Sequence, residues 1–167
     1  MGCHSIGGPV AGLATVPCVR PGEIVPELEA VDQDGKPVTL TELVAEGPVV
    51  LFFYPKAMTP GCTKESCHFR DLKGEFEQLG AQAVGISDDA PERQREFDQR
   101  NDLGLRLLSD PQKEIAGILG AKRVGPLPNR RITYVIDSDR TLLEVIKSEV
   151  AMDSHADRAL EVLAART

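Results

Sequence analysis

The run Val49-Val-Leu-Phe-Phe-Tyr54 offers no polar side to water, and Pro55 closes it. A short continuous apolar run of this kind reads as a strand buried on both faces, so the chain must cover both sides of a sheet. The surrounding pattern supplies the cover. Glu27–Val31 and Pro37–Leu40 flank Asp34-Gly35, a hairpin signal. Thr41-Glu-Leu-Val reads as a short helix. From Cys62 to Leu79 the period becomes helical, with Phe69, Leu72, Phe76 and Leu79 on one face. Ala83–Ser87 and Leu105–Leu108 read as strands. Pro91–Asp102 is a polar helix opened by its proline. Gln112–Leu119 reads as a helix stopped by Gly120. Arg131–Ile136 and Leu142–Ser148 form strands around an Asp137-Ser-Asp-Arg140 turn, and Ser154–Arg166 closes the chain as a helix capped by Ser154 or Asp153. Strands alternating with helices, with a hairpin near each end, predict an α/β sandwich around a mixed central sheet.

The 167 residues suffice for one domain with a real core. A net charge of −7 argues against nucleic acid and anionic membranes as partners, since both call for a basic patch. No apolar run reaches the roughly 20 residues of a membrane helix. Residues 1–22 are rich in Gly, Pro and small side chains and are expected to form a flexible tail. They carry no Lys or Arg before Arg20, which fits neither a secretory signal nor a transit peptide. Met1-Gly2-Cys3 hints at acylation, but Ile6 stands where the myristoylation pattern wants Ser or Thr.

The four cysteines are Cys3 and Cys18 in the tail and Cys62 and Cys67 in the body. A disulfide-stapled secreted domain would be denser in cysteine, so a reducing, cytoplasmic setting is expected. Cys62 follows the buried strand and a Pro-Gly turn and opens the helix. Helix N-termini favour thiolate over thiol. Cys62 shares the face of Phe69 to within about 20°, whereas Cys67 lies about 160° away from it. A cysteine off the apolar stripe is not explained by packing, which points to reactivity or to plain surface exposure. Cys62, Cys67 and His68 are possible metal ligands, but four intervening residues exceed the usual zinc clip and no second pair exists; Cys3, His4 and Cys18 could complete a site only if the tail folded back. No CxxC motif is present.

The stretch Phe53-Tyr-Pro-Lys-Ala-Met-Thr-Pro-Gly-Cys-Thr-Lys-Glu-Ser-Cys-His-Phe-Arg-Asp71 resembles the peroxiredoxins, and most closely their bacterioferritin comigratory protein, or peroxiredoxin Q, subfamily. Pro55, Thr59 and Cys62 match the family's active-site signature. Cys67 matches the subfamily's helix-borne resolving cysteine. Arg131 matches the arginine that the family places beside the reactive sulfur. The similarity runs from about Glu23 to the C-terminus, so residues 23–167 are expected to form a thioredoxin-like peroxiredoxin domain. The resemblance implies an antioxidant thiol peroxidase without a cofactor or metal. Cys62 would become a sulfenic acid, Cys67 would resolve it as an intramolecular disulfide, and thioredoxin or a similar dithiol would recycle it. Hydrogen peroxide and organic hydroperoxides are the implied substrates, and a monomer the implied state. Ala57-Met58 departs from an acidic pair common in the subfamily and makes the pocket mouth less polar. A non-enzymatic redox sensor and a metal-binding module are the competing readings.

Overall fold

The computed structural model describes residues 19–166. The chain runs β1 (Glu29–Asp32), β2 (Pro37–Thr39), α1 (Leu40–Val44), β3 (Val49–Phe53), α2 (Pro60–Asp71), α3 (Lys73–Gln78), β4 (Gln82–Ser87), α4 (Pro91–Asn101), β5 (Arg106–Ser109), α5 (Glu114–Leu119), β6 (Ile132–Ile136), β7 (Leu142–Lys147) and α6 (Met152–Ala165). The strands form one seven-stranded mixed sheet in the order β2-β1-β5-β4-β3-β6-β7. β3 lies beside β4 in parallel and beside β6 antiparallel, and every residue of β3 is buried.

Strand alternation divides the core into two clusters. Val49, Leu51 and Phe53 of β3 face one cluster with Ile132, Tyr134 and Ile136 of β6. Val50, Phe52 and Tyr54 face the other, with Val135, Cys62, Phe69 and the inner face of α6. This second layer holds α2 in place. Phe52 stacks on Phe69 at 4.1 Å between ring centroids, and Phe69 stacks on Phe76 at 5.9 Å.

Gly85 of β4 makes that stack possible. A methyl group there would stand 2.9 Å from Leu107 Cδ2 and 3.0 Å from both Phe52 and Tyr54. Gly85→Ala is therefore expected to destabilise the fold by about 1–3 kcal/mol. Thermal denaturation checks this: at about 2–4 °C per kcal/mol for a chain of this size, an unchanged midpoint contradicts it.

The elements differ from the sequence-based reading in three places. The helical segment starting near Cys62 begins at Pro60 and divides at Leu72, whose backbone (φ −95°, ψ 9°) leaves the helical path. The break keeps Phe69 and Phe76 buried together while Leu72 and Leu79 are only partly covered. α5 starts at Glu114 because Asp110 caps it from outside, its carboxylate accepting from the N–H groups of Glu114, Ile115 and Ala116. α6 starts at Met152 with Ala151 at its N-cap, so neither Ser154 nor Asp153 caps it; Ser154 Oγ donates instead to the Ala151 carbonyl.

Of the segment read as a tail, residues 1–18 lie outside the described residues, and with them the Met1-Gly2-Cys3 start, His4 and Cys18. Residues 19–22 are described. Val19 is buried in the first cluster, and Gly22 N–H donates to the Leu142 carbonyl at 2.7 Å. No helix among the described residues is long and apolar enough to cross a membrane.

Candidate active site

β3 delivers the chain to the C-terminal end of the sheet, where Pro55–Thr59 turns it into α2. A chain of buried polar groups fixes this turn. Tyr54 Oη donates to Gln94 Oε1, and Gln94 Nε2 donates to Ser87 Oγ at 3.0 Å and to the Leu108 carbonyl at 2.8 Å. Ser87 Oγ donates to Asp89 Oδ2 at 2.7 Å, and the same carboxylate oxygen accepts the Ala57 N–H at 2.8 Å. Met58 then takes a left-handed backbone (φ 70°), a conformation uncommon for a side chain of this kind. Ala57 is buried, so it contributes its N–H here rather than its methyl to an open mouth.

Thr59 is the N-cap residue of α2 and Pro60 occupies its first turn. The Thr59 hydroxyl donates to the Lys56 carbonyl at 2.9 Å and makes no capping bond. The first helical hydrogen bond is Thr63 N–H to the Thr59 carbonyl at 2.9 Å. The N–H groups of Gly61 and Cys62 therefore have no helical acceptor and present the positive end of the helix.

Cys62 is fully buried, and Arg131 Nη2 donates to its Sγ at 3.4 Å. Arg131 comes from the loop entering β6. In β6, Thr133 and Val135 face the α2 layer while Ile132 and Tyr134 face the other, so Arg131 falls on the cysteine side. Arg130 lies on the opposite side and lines a cavity of about 220 Å³ with Ile132, Tyr134 and Lys147. Gly61 makes room for this contact, since a methyl group there would stand 3.3 Å from Arg131 Nη2 and from Met152 Cε.

The buried stripe of α2 is Cys62, Glu65, Ser66 and Phe69. Glu65 was not among the residues the sequence singled out. It is fully buried, and its Oε1 accepts from Arg131 Nη1 at 3.2 Å. Its Oε2 has no hydrogen-bond partner and lies 3.6 Å from His155 Nε2. Burial pushes the Glu65 carboxyl up to about 8, against the opposing pull of Arg131. His155 is fully buried as well. Its Nε2 must donate to the Ser148 carbonyl at 2.9 Å because a carbonyl only accepts, which leaves Nδ1 to accept from the Thr133 hydroxyl at 2.8 Å. Desolvation lowers its proton affinity, so the ring is neutral. The signal for Glu65 was present in the sequence. It lies three residues after Cys62 and four before Phe69, a charged residue on the buried face.

Cys67 is not brought to Cys62. Both are free, α2 is continuous between them, and Cys67 is partly buried against the second cluster. It is more covered than a position opposite Phe69 would suggest; the side of α2 that meets α6 carries Gly61, Glu65 and His68, with His68 Nε2 paired to Asp157 Oδ1 at 2.8 Å. Pro55 is half-buried directly after β3. Among the described residues, no group of three or more His, Cys, Asp or Glu is arranged to hold a metal ion.

A buried cysteine at the start of a helix, held against an arginine from the loop that enters a neighbouring strand of a thioredoxin-like sheet, defines a class of thiol peroxidase. Residues 21–145 match the AhpC/TSA family, and the chain belongs to it: it is a peroxiredoxin. Within that family its relatives are of the peroxiredoxin Q kind. It is 40% identical over 147 residues to chloroplastic peroxiredoxin Q of Gentiana triflora, covering 87% of this chain and 67% of that one. It is 51% identical over 150 residues to a Mycobacterium tuberculosis protein with a provisional peroxiredoxin name, covering 88% and 97%. Among solved structures, peroxidoxin BcpB of Mycobacterium tuberculosis superposes with a TM-score of 0.85 at 49% identity, covering 88% of this chain and 97% of that one. Xanthomonas campestris peroxiredoxin Q superposes at 0.76 with 28% identity, covering 83% and 90%.

Proposed function

We propose that this peroxidase works through Cys62 as the attacking thiolate and Cys67 as the resolving thiol, with thioredoxin or a similar dithiol as reductant. The observation that carries the reading is the 3.4 Å contact between Arg131 and the buried Cys62 sulfur at the first turn of α2. Arg131 and the first turn of α2 face the sulfur, where the attacking species carries its negative charge. The thiolate attacks one oxygen of the hydroperoxide, the O–O bond breaks, and sulfur becomes sulfenic acid. Arg131 and the unpaired N–H groups of the first turn stabilise charge on the departing oxygen, and Thr59 and Pro55 shape the approach. Cys67 then displaces water from the sulfenic acid and closes a disulfide.

Substrates are hydrogen peroxide and organic hydroperoxides. Two apolar side chains stand open to solvent: Val124 and Val150 are 89% and 88% exposed. They adjoin Arg123 and Glu149, an ion pair at 2.9 Å whose carboxylate also accepts the Arg131 N–H. The test is consumption of hydrogen peroxide and of an alkyl hydroperoxide with thioredoxin, thioredoxin reductase and NADPH. Sustained NADPH oxidation dependent on all components supports the reading. Peroxide removal that no dithiol protein sustains removes the thioredoxin step.

A further inference from the structure

Arg131 serves two acidic groups at once. Its Nη2 reaches Cys62 Sγ at 3.4 Å and its Nη1 reaches Glu65 Oε1 at 3.2 Å, and all three residues are buried. One buried cation compensates one buried anion. A second negative charge beside the first would be left without a counter-ion in low dielectric. The other charged or titratable groups packed nearby do not change this balance. His155 on α6 is neutral, and its Nε2–H is already given to Ser148. Glu149, after β7, is held by Arg123 and adds negative charge. Glu65 Oε2 receives no donor at all among the described residues, which favours the protonated form further.

We propose that Glu65 exchanges charge with Cys62 during the reaction: it is a carboxylic acid while Cys62 is a thiolate, and it ionises as the sulfur becomes a neutral sulfenic acid. The inference rests on the Cys62 assignment made above. The step balances as follows. Cys62 thiolate, hydroperoxide and Glu65 carboxylic acid give Cys62 sulfenic acid, alcohol (or water) and Glu65 carboxylate. The S–O bond forms, the O–O bond breaks, sulfur is oxidised and the peroxide reduced. The departing oxygen gains one proton and the Glu65 carboxyl loses one, so in net none is taken from solution. Arg131 faces one anion before the step and one after it, so its buried charge is compensated throughout. Glu65 thus acts through Arg131 as a charge-balancing group. The resting proton affinity of Glu65, raised to about 8 by burial, agrees with the acid form before the reaction.

The test counts protons. Full-length Cys67→Ser protein, which stops at the sulfenic acid, is mixed with one equivalent of peroxide in weak buffer with a pH indicator, under conditions where thiolate absorbance shows Cys62 ionised. With Glu65 present, sulfenic acid forms with no proton uptake from solution. In Cys67→Ser/Glu65→Gln, which cannot release the proton, one proton is taken up per sulfenic acid, and oxidation slows on the order of a hundredfold. Uptake of one proton with Glu65 present, or of none in the glutamine variant, overturns the proposal. Should the glutamine variant fail to fold, difference infrared spectra of the Cys67→Ser protein decide alone. Loss of a buried carboxylic-acid carbonyl band on oxidation supports the exchange, and no loss overturns it. Failure of the underlying site reading is distinct, because Cys62 would then form no sulfenic acid at all.

Discussion

Cys62→Ser is expected to abolish peroxidase turnover, with a fall on the order of 10⁴-fold or more, the scale on which removal of a nucleophile acts in other enzymes. A serine hydroxyl at this position stays protonated beside Arg131 and is a poor nucleophile. The substitution exchanges one buried small side chain for another, so the fold survives it. The coupled assay with thioredoxin, thioredoxin reductase and NADPH checks this prediction. Circular dichroism confirms that the variant is folded, and turnover close to that of the unmodified protein removes Cys62 from the site.

Arg131→Ala removes both the counter-ion of the thiolate and a donor to the departing oxygen. Loss of a single donor of this type costs about 10²–10³ in rate. The first oxidation step, followed by stopped-flow mixing with peroxide, should slow by at least that factor. Arg131→Lys restores the charge but not the fork that spans Cys62 Sγ and Glu65 Oε1, so it should recover only part of the rate. Arg130→Ala serves as the control. Arg130 lies on the other face of the sheet, and its loss should leave the step nearly unchanged. A larger loss at Arg130 than at Arg131 would contradict the contact geometry.

Much of this arrangement was legible in the chain. The run from Val49 to Tyr54 reads as an interior strand and is one, whereas Arg131 is assigned through the family resemblance, and it is the register of β6 that places it, and not Arg130, beside Cys62. The Asp34-Gly35 turn does join β1 to β2, with Gly35 in a left-handed conformation (φ 79°). What local pattern could not carry was set by tertiary contact. The partial burial of Cys67 comes from its packing against the second cluster. The cap of α5 comes from Asp110, whose carboxylate reaches over the first turn. Gly61 reads as a flexible lead-in to the helix, yet its lack of a side chain is explained by the approach of Arg131 and Met152. Glu65 and His155 meet only because the segments carrying them, far apart in sequence, are packed into one layer.

The reduced state also constrains how the two cysteines meet. Five residues of intact helix advance about 7.5 Å and turn about 140°, placing the α-carbons roughly 8–9 Å apart on diverging faces. A disulfide needs α-carbons within about 7 Å. The start of α2 must therefore open before Cys67 can reach Cys62. The first turn of a helix has few internal bonds to lose, so what opening gives up is the burial of Cys62 and its contact with Arg131. The decisive measurement is peptide mapping under non-reducing conditions after one equivalent of peroxide, with the thiols that remain free alkylated after the oxidation and before digestion. The account predicts one dominant species, a Cys62–Cys67 disulfide within a single chain. A reduced, alkylated Cys62 in protein whose other thiols have been oxidised would contradict it.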